Sequence, residues 1–217
     1  MKQKPSKENN QESKPSKPSK PSKPSKPPET SKLVNESTLL PWIETGRSQE
    51  YDCGWFSVDR HDRKSQLSNV EHDYYLVHTK DWVNVVPITN DGRIVFVRQY
   101  RQAAQKFGLE VPAGVIEENE EPINAGKREL IEETGYGLGD WQHLGNFYSN
   151  PALIENQVHA FLATPVEIVS EPMPERQEEI EVVILDWLGV NQAIATGEIN
   201  NSITIAVLYL ARQSLKL

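Results

Sequence analysis

Apolar positions between residues 51 and 215 fall into short runs broken by polar turns. Tyr51–Val58 and Asp73–His78 are rich in aromatic and β-branched residues and read as strands. Asp81–Thr89 is a third such run, and Asn90-Asp91-Gly92 behind it is a hairpin turn signal. After the turn, Arg93–Gln99 sets Ile94 and Phe96 on one face and Val95 and Val97 on the other, so both faces are expected to be covered. Gln102–Leu109 reads as a loop and Glu110–Val115 as a short extended piece. Trp141–Tyr148, Gln157–Thr164 and Ile180–Leu185 read as further strands. Helical spacing appears over Glu121–Thr134, with Pro122 in the first turn and Gly135 just past the end. Trp187–Thr196 reads as helical, and Ser202 as the N-cap of a last helix through Leu215. Strands, one helix, more strands and then helices predict an α+β chain with a mixed sheet rather than a regular βαβ alternation.

The mid-chain helix breaks local rules. At 100° per residue, Ile123, Leu130 and Gly126 fall at about 0°, 340° and 300°, which is the buried stripe. Glu132, Glu129 and Glu133 fall at about 180°, 240° and 280°, in one arc against that stripe. Glu129 and Glu133 form an i,i+4 like-charge pair, costing about 0.2–0.5 kcal/mol in an isolated helix. Glu132 and Glu133 also occupy the last turn, where the helix dipole favours cations. Arg128 precedes Glu132 by one turn and is placed to pair with it. Two readings are open: a solvated acidic face, or a divalent-cation site that removes both penalties.

Charge divides the chain. Residues 1–32 carry nine Lys and three Glu, a net +6; residues 33–217 carry 14 basic and 28 acidic residues, a net −14. Ser13 to Pro27 is five Ser-Lys-Pro triplets, a pattern that forbids helix and favours polyproline II. Residues 1–35 are therefore expected to be a disordered basic tail, either a solvated extension or a docking arm, ahead of a domain over residues 36–217. The acidic body argues against nucleic-acid binding and, without a metal or local basic cluster, against phosphates too. A single cysteine, Cys53, excludes an intramolecular disulfide and reads as packing. The lysines at the start have no apolar run behind them, so no signal peptide is expected, and no apolar stretch reaches membrane-spanning length. The expected setting is a reducing cytoplasm. The five histidines show no metal-ligand spacing, and His61-Asp62 and His72-Asp73 read as turn or surface residues.

The stretch from Gly114 to Tyr136 resembles the Nudix box, G-x5-E-x7-R-E-U-x-E-E-x-G-U, where U is bulky and apolar. All seven fixed letters match: Gly114, Glu120, Arg128, Glu129, Glu132, Glu133 and Gly135. At roughly 7% per residue type, such a match arises by chance about once in 10^8 windows. Val97-Arg98-Gln99-Tyr100-Arg101, Glu110-Val-Pro-Ala-Gly114, Pro151 and Ile194-Ala-Thr-Gly-Glu-Ile-Asn200 are similar to segments of the ADP-ribose pyrophosphatase branch.

The resemblance implies a Nudix α/β/α sandwich, with residues 45–80 as extra N-terminal strands that build a homodimer interface. It implies Mg2+-dependent hydrolysis of a nucleoside diphosphate sugar, with Mn2+ able to substitute. Rival readings are GDP-mannose or dinucleoside polyphosphate hydrolysis, and a non-catalytic nucleotide-sugar sensor. Glu129 and Glu133 are implied as the principal metal ligands, with Glu132 close by and the backbone carbonyl of Ala113 beside them. Gly114 would let that backbone approach the metal, and Arg128 would hold Glu132. Glu178 is the implied general base, with Glu179 as alternative. Glu110 and Pro151 are implied substrate contacts. Arg98 and Arg101 suit bidentate phosphate binding, the alternative for either being a surface ion pair. Trp55, Tyr74 and Tyr75 are candidates for base stacking or for the core.

Overall fold

The computed structural model describes residues 38–174, 176 and 179–217. The tail expected over residues 1–35 and the expected base Glu178 lie outside them. Eleven strands and three helices follow one another: β1 Ile43–Asp52, β2 Ser57–Lys64, β3 Glu71–His78, β4 Trp82–Thr89, β5 Ile94–Arg101, β6 Lys106–Glu110, β7 Ala113–Val115, α1 Pro122–Thr134, β8 Tyr136–Gly137, β9 Asp140–Tyr148, β10 Gln157–Ile168, β11 Glu181–Leu185, α2 Trp187–Thr196 and α3 Ser202–Leu215. Strands β1–β3 form an antiparallel sheet of their own. The other eight form a mixed sheet around the order β11-β5-β4-β10-β8, with β6 on β5, β7 on β4 and β9 on β10.

Its centre is the parallel pair β4–β10, with Val85 opposite Phe161. Parallel pairs need cover on both faces, and alternation supplies two apolar cores. Val83, Val85, Val95, Phe161 and Ala163 meet Ala125 and Leu130 of α1. Their neighbours Val86, Ile94, Phe96, Ala160 and Leu162 meet Val190 of α2 and Val207, Leu208 and Ala211 of α3. Ile94, Val95, Phe96 and Val97 are all 0% exposed, as the two-faced pattern of β5 predicts. The fold is therefore α+β, a mixed sheet between one helix and two, with the expected extra strands before it.

Helix α1 sits close on β4 because Gly126 has no side chain. A Cβ there would lie 3.1 Å from Trp141 and 3.2 Å from Val83 and Val85. Gly135 ends the helix in the left-handed region at φ +73°, and its N–H donates to the Ile131 carbonyl.

Three local expectations are corrected. Tyr51–Val58 is not one strand but the end of β1, a turn and the start of β2. Asp52 Oδ1 accepts from Gly54 N–H at 2.7 Å, and Gly54 takes φ +83°. Gln102–Leu109 is not all loop, because residues from Lys106 onward pair with β5 as β6. The cap of α3 is Asn201, one residue earlier than expected; its Oδ1 accepts from Ile203 N–H at 2.9 Å and Thr204 N–H at 3.3 Å. No helix among the described residues is long and apolar enough to cross a membrane.

Candidate active site

Glu129 and Glu133 of α1 face β7, a short strand whose backbone comes close to both. Glu133 is 3% exposed, and its Oε2 accepts from the Ala113 N–H at 3.1 Å. A Cβ on Gly114 would lie 2.0 Å from Glu129 Oε1, so any larger residue there would displace that carboxylate from beside β7. Helix and strand thus pack two carboxylates against a backbone edge.

Arg128 ties this cluster together. Guanidinium has five N–H donors, and all five find acceptors. Nε and Nη2 reach Glu120 at 3.1 and 3.0 Å. Nη1 reaches Glu129 at 2.6 Å and Glu132 at 3.2 Å. Nη2 also reaches the Val115 carbonyl at 3.1 Å. The expected Arg128–Glu132 pair is present, but it is one contact of several. The hydrogen bond from Arg128 holds the Glu120 carboxyl below its ordinary range, against a smaller opposing effect of burial. The same bond pushes the Arg128 guanidinium above its own. Glu117 nearby is lowered by its bond from Lys80 Nζ at 2.6 Å.

These groups open onto a cleft of about 570 Å³. Ala113, Gly114, Arg128, Glu129 and Glu132 line it from one side. Arg101 and Glu110 also line it, joined by a two-pronged pair at 3.0 and 2.7 Å. Glu110 is buried beneath a half-exposed Arg101. The cleft therefore holds a cluster of carboxylate oxygens and, separately, a guanidinium held in a fixed orientation.

Most of the remaining sequence candidates lie elsewhere. Arg98 is engaged by Glu181 at 2.8 Å and Glu198 at 3.8 Å, and does not line the cleft. Pro151 is exposed in the turn after β9, also outside the lining. Glu179 is exposed. Of the aromatic candidates, Trp55 lines the cleft and is 81% exposed, whereas Tyr74 and Tyr75 are exposed on β3. Cys53 is exposed in the β1–β2 turn rather than packed. His61 is a buried β2 residue rather than a turn or surface one.

Asn84 and Asn201 also line the cleft, and neither is a sequence candidate. Asn84 had a signal: it is the one polar residue between Trp82 and Pro87, and it is buried. Asn201 reaches the site only because α3 begins there.

A family model described as the NUDIX domain matches residues 78–207, which include the box and most of the mixed sheet. The chain belongs to the Nudix family. Among Nudix relatives, it is 34% identical over 110 residues to an ADP-ribose pyrophosphatase of Bacillus subtilis (strain 168), covering 49% of this chain and 60% of that one. It is 33% identical over 128 residues to an ADP-ribose pyrophosphatase of Mycobacterium tuberculosis, covering 57% and 61%. It is 30% identical over 129 residues to a GDP-mannose pyrophosphatase of Escherichia coli O1:K1 / APEC, covering 56% and 67%. The chain thus spans about three fifths of the length of the two ADP-ribose pyrophosphatases. A crystal structure described as an ADP compounds hydrolase shares the fold, with a TM-score of 0.74 at 21% identity over 83% of this chain and 97% of that one.

Proposed function

We propose that this chain hydrolyses the pyrophosphate bond of ADP-ribose or a related nucleoside diphosphate sugar in the presence of Mg2+, releasing a nucleoside monophosphate and a sugar phosphate. The observation that carries this reading is the α1 cluster: Glu129 and Glu132 line a cleft, Glu129 against the Gly114 backbone, and buried Glu133 accepts from the Ala113 N–H next to it. The donor set fits a hard divalent cation, because Mg2+ takes oxygen ligands and keeps several waters. A cation already sits there in another form, since Arg128 Nη1 lies between Glu129 and Glu132 at 2.6 and 3.2 Å.

Glu129, Glu132 and Glu133 would hold Mg2+, with the carbonyl of Ala113 beside them and Mn2+ as a substitute. When bound, the ion neutralises diphosphate charge and makes an attacking water more acidic. Arg128 positions the carboxylates. Arg101, oriented by Glu110, contacts substrate phosphate, a task for which its planar fork is suited. Arg98 is the weaker phosphate contact because it lies outside the cleft lining. Glu178, or Glu179 beside it, serves as general base. Pro151 is assigned a substrate contact on the resemblance alone. Trp55, exposed at the cleft, offers a flat face to the base.

The relatives' names favour ADP-ribose, with GDP-mannose as the second reading. Exposed Trp42, Tyr51, Phe56 and Tyr75 on or beside the three-stranded sheet support a homodimer through that sheet. A lone exposed thiol at Cys53 suits a reducing cytoplasm.

The deciding experiment is hydrolysis of ADP-ribose, GDP-mannose and dinucleoside polyphosphates with Mg2+, products read by mass. AMP and ribose 5-phosphate as the dominant products support the first reading; preference for GDP-mannose moves the assignment to the second. Substituting Glu129→Gln is expected to lower turnover at least about 100-fold. Turnover of no substrate, together with tight ADP-ribose binding, would instead favour a sensor.

A further inference from the structure

The three-stranded sheet carries a second group of metal-ligand side chains that the hydrolysis above does not use. Asp59 and His61 are two apart on β2 and so share one face of the strand. The β2–β3 register sets Ser57 opposite His78, which brings His78 to the same face. One ligand atom from each of Asp59, His61 and His78 lies within 4.8 Å of the others. A tetrahedral ion would draw such atoms to about 3.4 Å apart, given metal–ligand bonds of roughly 2.1 Å. Small side-chain rotations close that difference.

The orientation of the two imidazoles carries the argument. His61 Nδ1 lies 2.9 Å from Glu44 Oε2, with Arg63 Nη2 3.0 Å from the same nitrogen and 2.8 Å from the same carboxylate oxygen, and His78 Nδ1 pairs with Glu155 Oε1. Metal-ligating histidines characteristically give one ring N–H to a carboxylate, which turns the lone pair of the other nitrogen toward the ion. His78 Nε2 behaves in this way: it accepts from Arg47 Nη2 at 3.1 Å and lies 3.6 Å from Asp59 Oδ2. His61 is 3% exposed, and its Nε2 has no hydrogen-bond partner among the described residues. Asp59 Oδ1 is likewise buried without a partner among them. Leaving such a group unsatisfied costs about 1–3 kcal/mol. A cation ligated by both residues through these atoms would satisfy them.

We propose that Asp59, His61 and His78 form a site for a divalent transition-metal ion of the Zn2+ class, with Glu44 and Glu155 orienting the two imidazoles. Two imidazole nitrogens and one carboxylate oxygen suit Zn2+ with a water as fourth ligand. They do not suit Mg2+, which prefers oxygen throughout. The site is thus chemically distinct from the α1 glutamates. Arg47 covers it, with Nε 2.8 Å from Asp59 Oδ2, and at 47% exposure that guanidinium has solvent to turn into. The ion has a structural role. Glu155 follows the turn that carries Pro151, and Val77 exchanges backbone hydrogen bonds with Leu153 and Glu155 at 2.8 and 3.3 Å. Metal at His78 therefore clamps the N-terminal sheet to that loop.

The test is equilibrium dialysis of the full chain against Zn2+ in excess Mg2+, which saturates the glutamates, followed by the visible spectrum of the Co2+ form. The expected result is one Zn2+ retained per chain, and intense d–d bands of a tetrahedral ion rather than the faint ones of an all-oxygen site. Asp59→Asn and His61→Asn should each lose at least about 100-fold in affinity, and Glu44→Gln about 10–100-fold. Arg47→Ala should bind more tightly, because it removes a competing cation; a gain cannot come from misfolding, so this variant decides if the ligand variants fail to fold. Zn2+ should raise the melting temperature of the wild type and not of His61→Asn. No retention of Zn2+ over excess Mg2+, or retention unaltered in His61→Asn and Glu44→Gln alike, overturns the proposal.

Discussion

Five hydrogen bonds meet at Arg128; three glutamates share four of them and the Val115 carbonyl takes the fifth. At this scale the site is an electrostatic compromise: like charges are gathered on α1, and one guanidinium holds Glu129 and Glu132 together. Glu120 anchors the arrangement from outside the helix. Its folded-state value lies below the ordinary 4.5, because the charged form is the one Arg128 binds. The sign follows directly. The Glu120–Arg128 contribution is fully present above 4.5 and is lost as pH falls through the lowered value of the folded state. Glu120→Gln should therefore cost about 1–2 kcal/mol at neutral pH, and wild type and variant should converge in strong acid. Thermal melts of both across that range check it; a gap already closed above pH 4.5 would show that the carboxylate is not held as its charged form.

Elements place these residues through their ends and their glycines. Helix α1 needed no side-chain cap: Glu121 makes none, and Pro122 opens the helix. Helix α3 depends on its cap more directly, because Asn201 satisfies two free N–H groups and also lines the cleft. Asn201→Ala should destabilise by about 1 kcal/mol, a typical cost of losing an N-cap. Chemical denaturation measures that cost, and an unchanged midpoint would show that the cap contributes nothing. The helix spacing, the Gly135 stop and the hairpin after Thr89 were legible in sequence because each depends on residues next to one another. β6 was less so. Lys106 and Phe107 are exposed and carry no alternation, and their strand exists only because β5 offers a partner edge.

For the whole molecule, one sheet separates two cores that share no residue. Leu130 fills the α1 side and Leu208 the α3 side, both nearly inaccessible to solvent. Leu130→Ala and Leu208→Ala should each cost about 2–5 kcal/mol. The double variant should equal the sum within about 0.5 kcal/mol, because distant sites without shared partners add. Denaturant titration of the three variants checks this. A large departure from additivity would mean that the sheet transmits strain between its faces.

The sequence by itself determined the motif, the helix that bears it and the two-sided burial of β5, since spacing and periodicity are properties of neighbours along the chain. It also determined that Glu129, Glu132 and Glu133 share an arc against the core. Only the tertiary structure decided that Arg101 joins the cleft on Glu110 while Arg98 is engaged by Glu181, two arginines three residues apart with the same composition around them. Only the register of β2 on β3 brought His78 to Asp59 and His61, whose histidines show no ligand spacing along the chain. Both outcomes rest on which strand lies beside which. That pairing is set by burial over the whole sheet and leaves no mark on the local pattern.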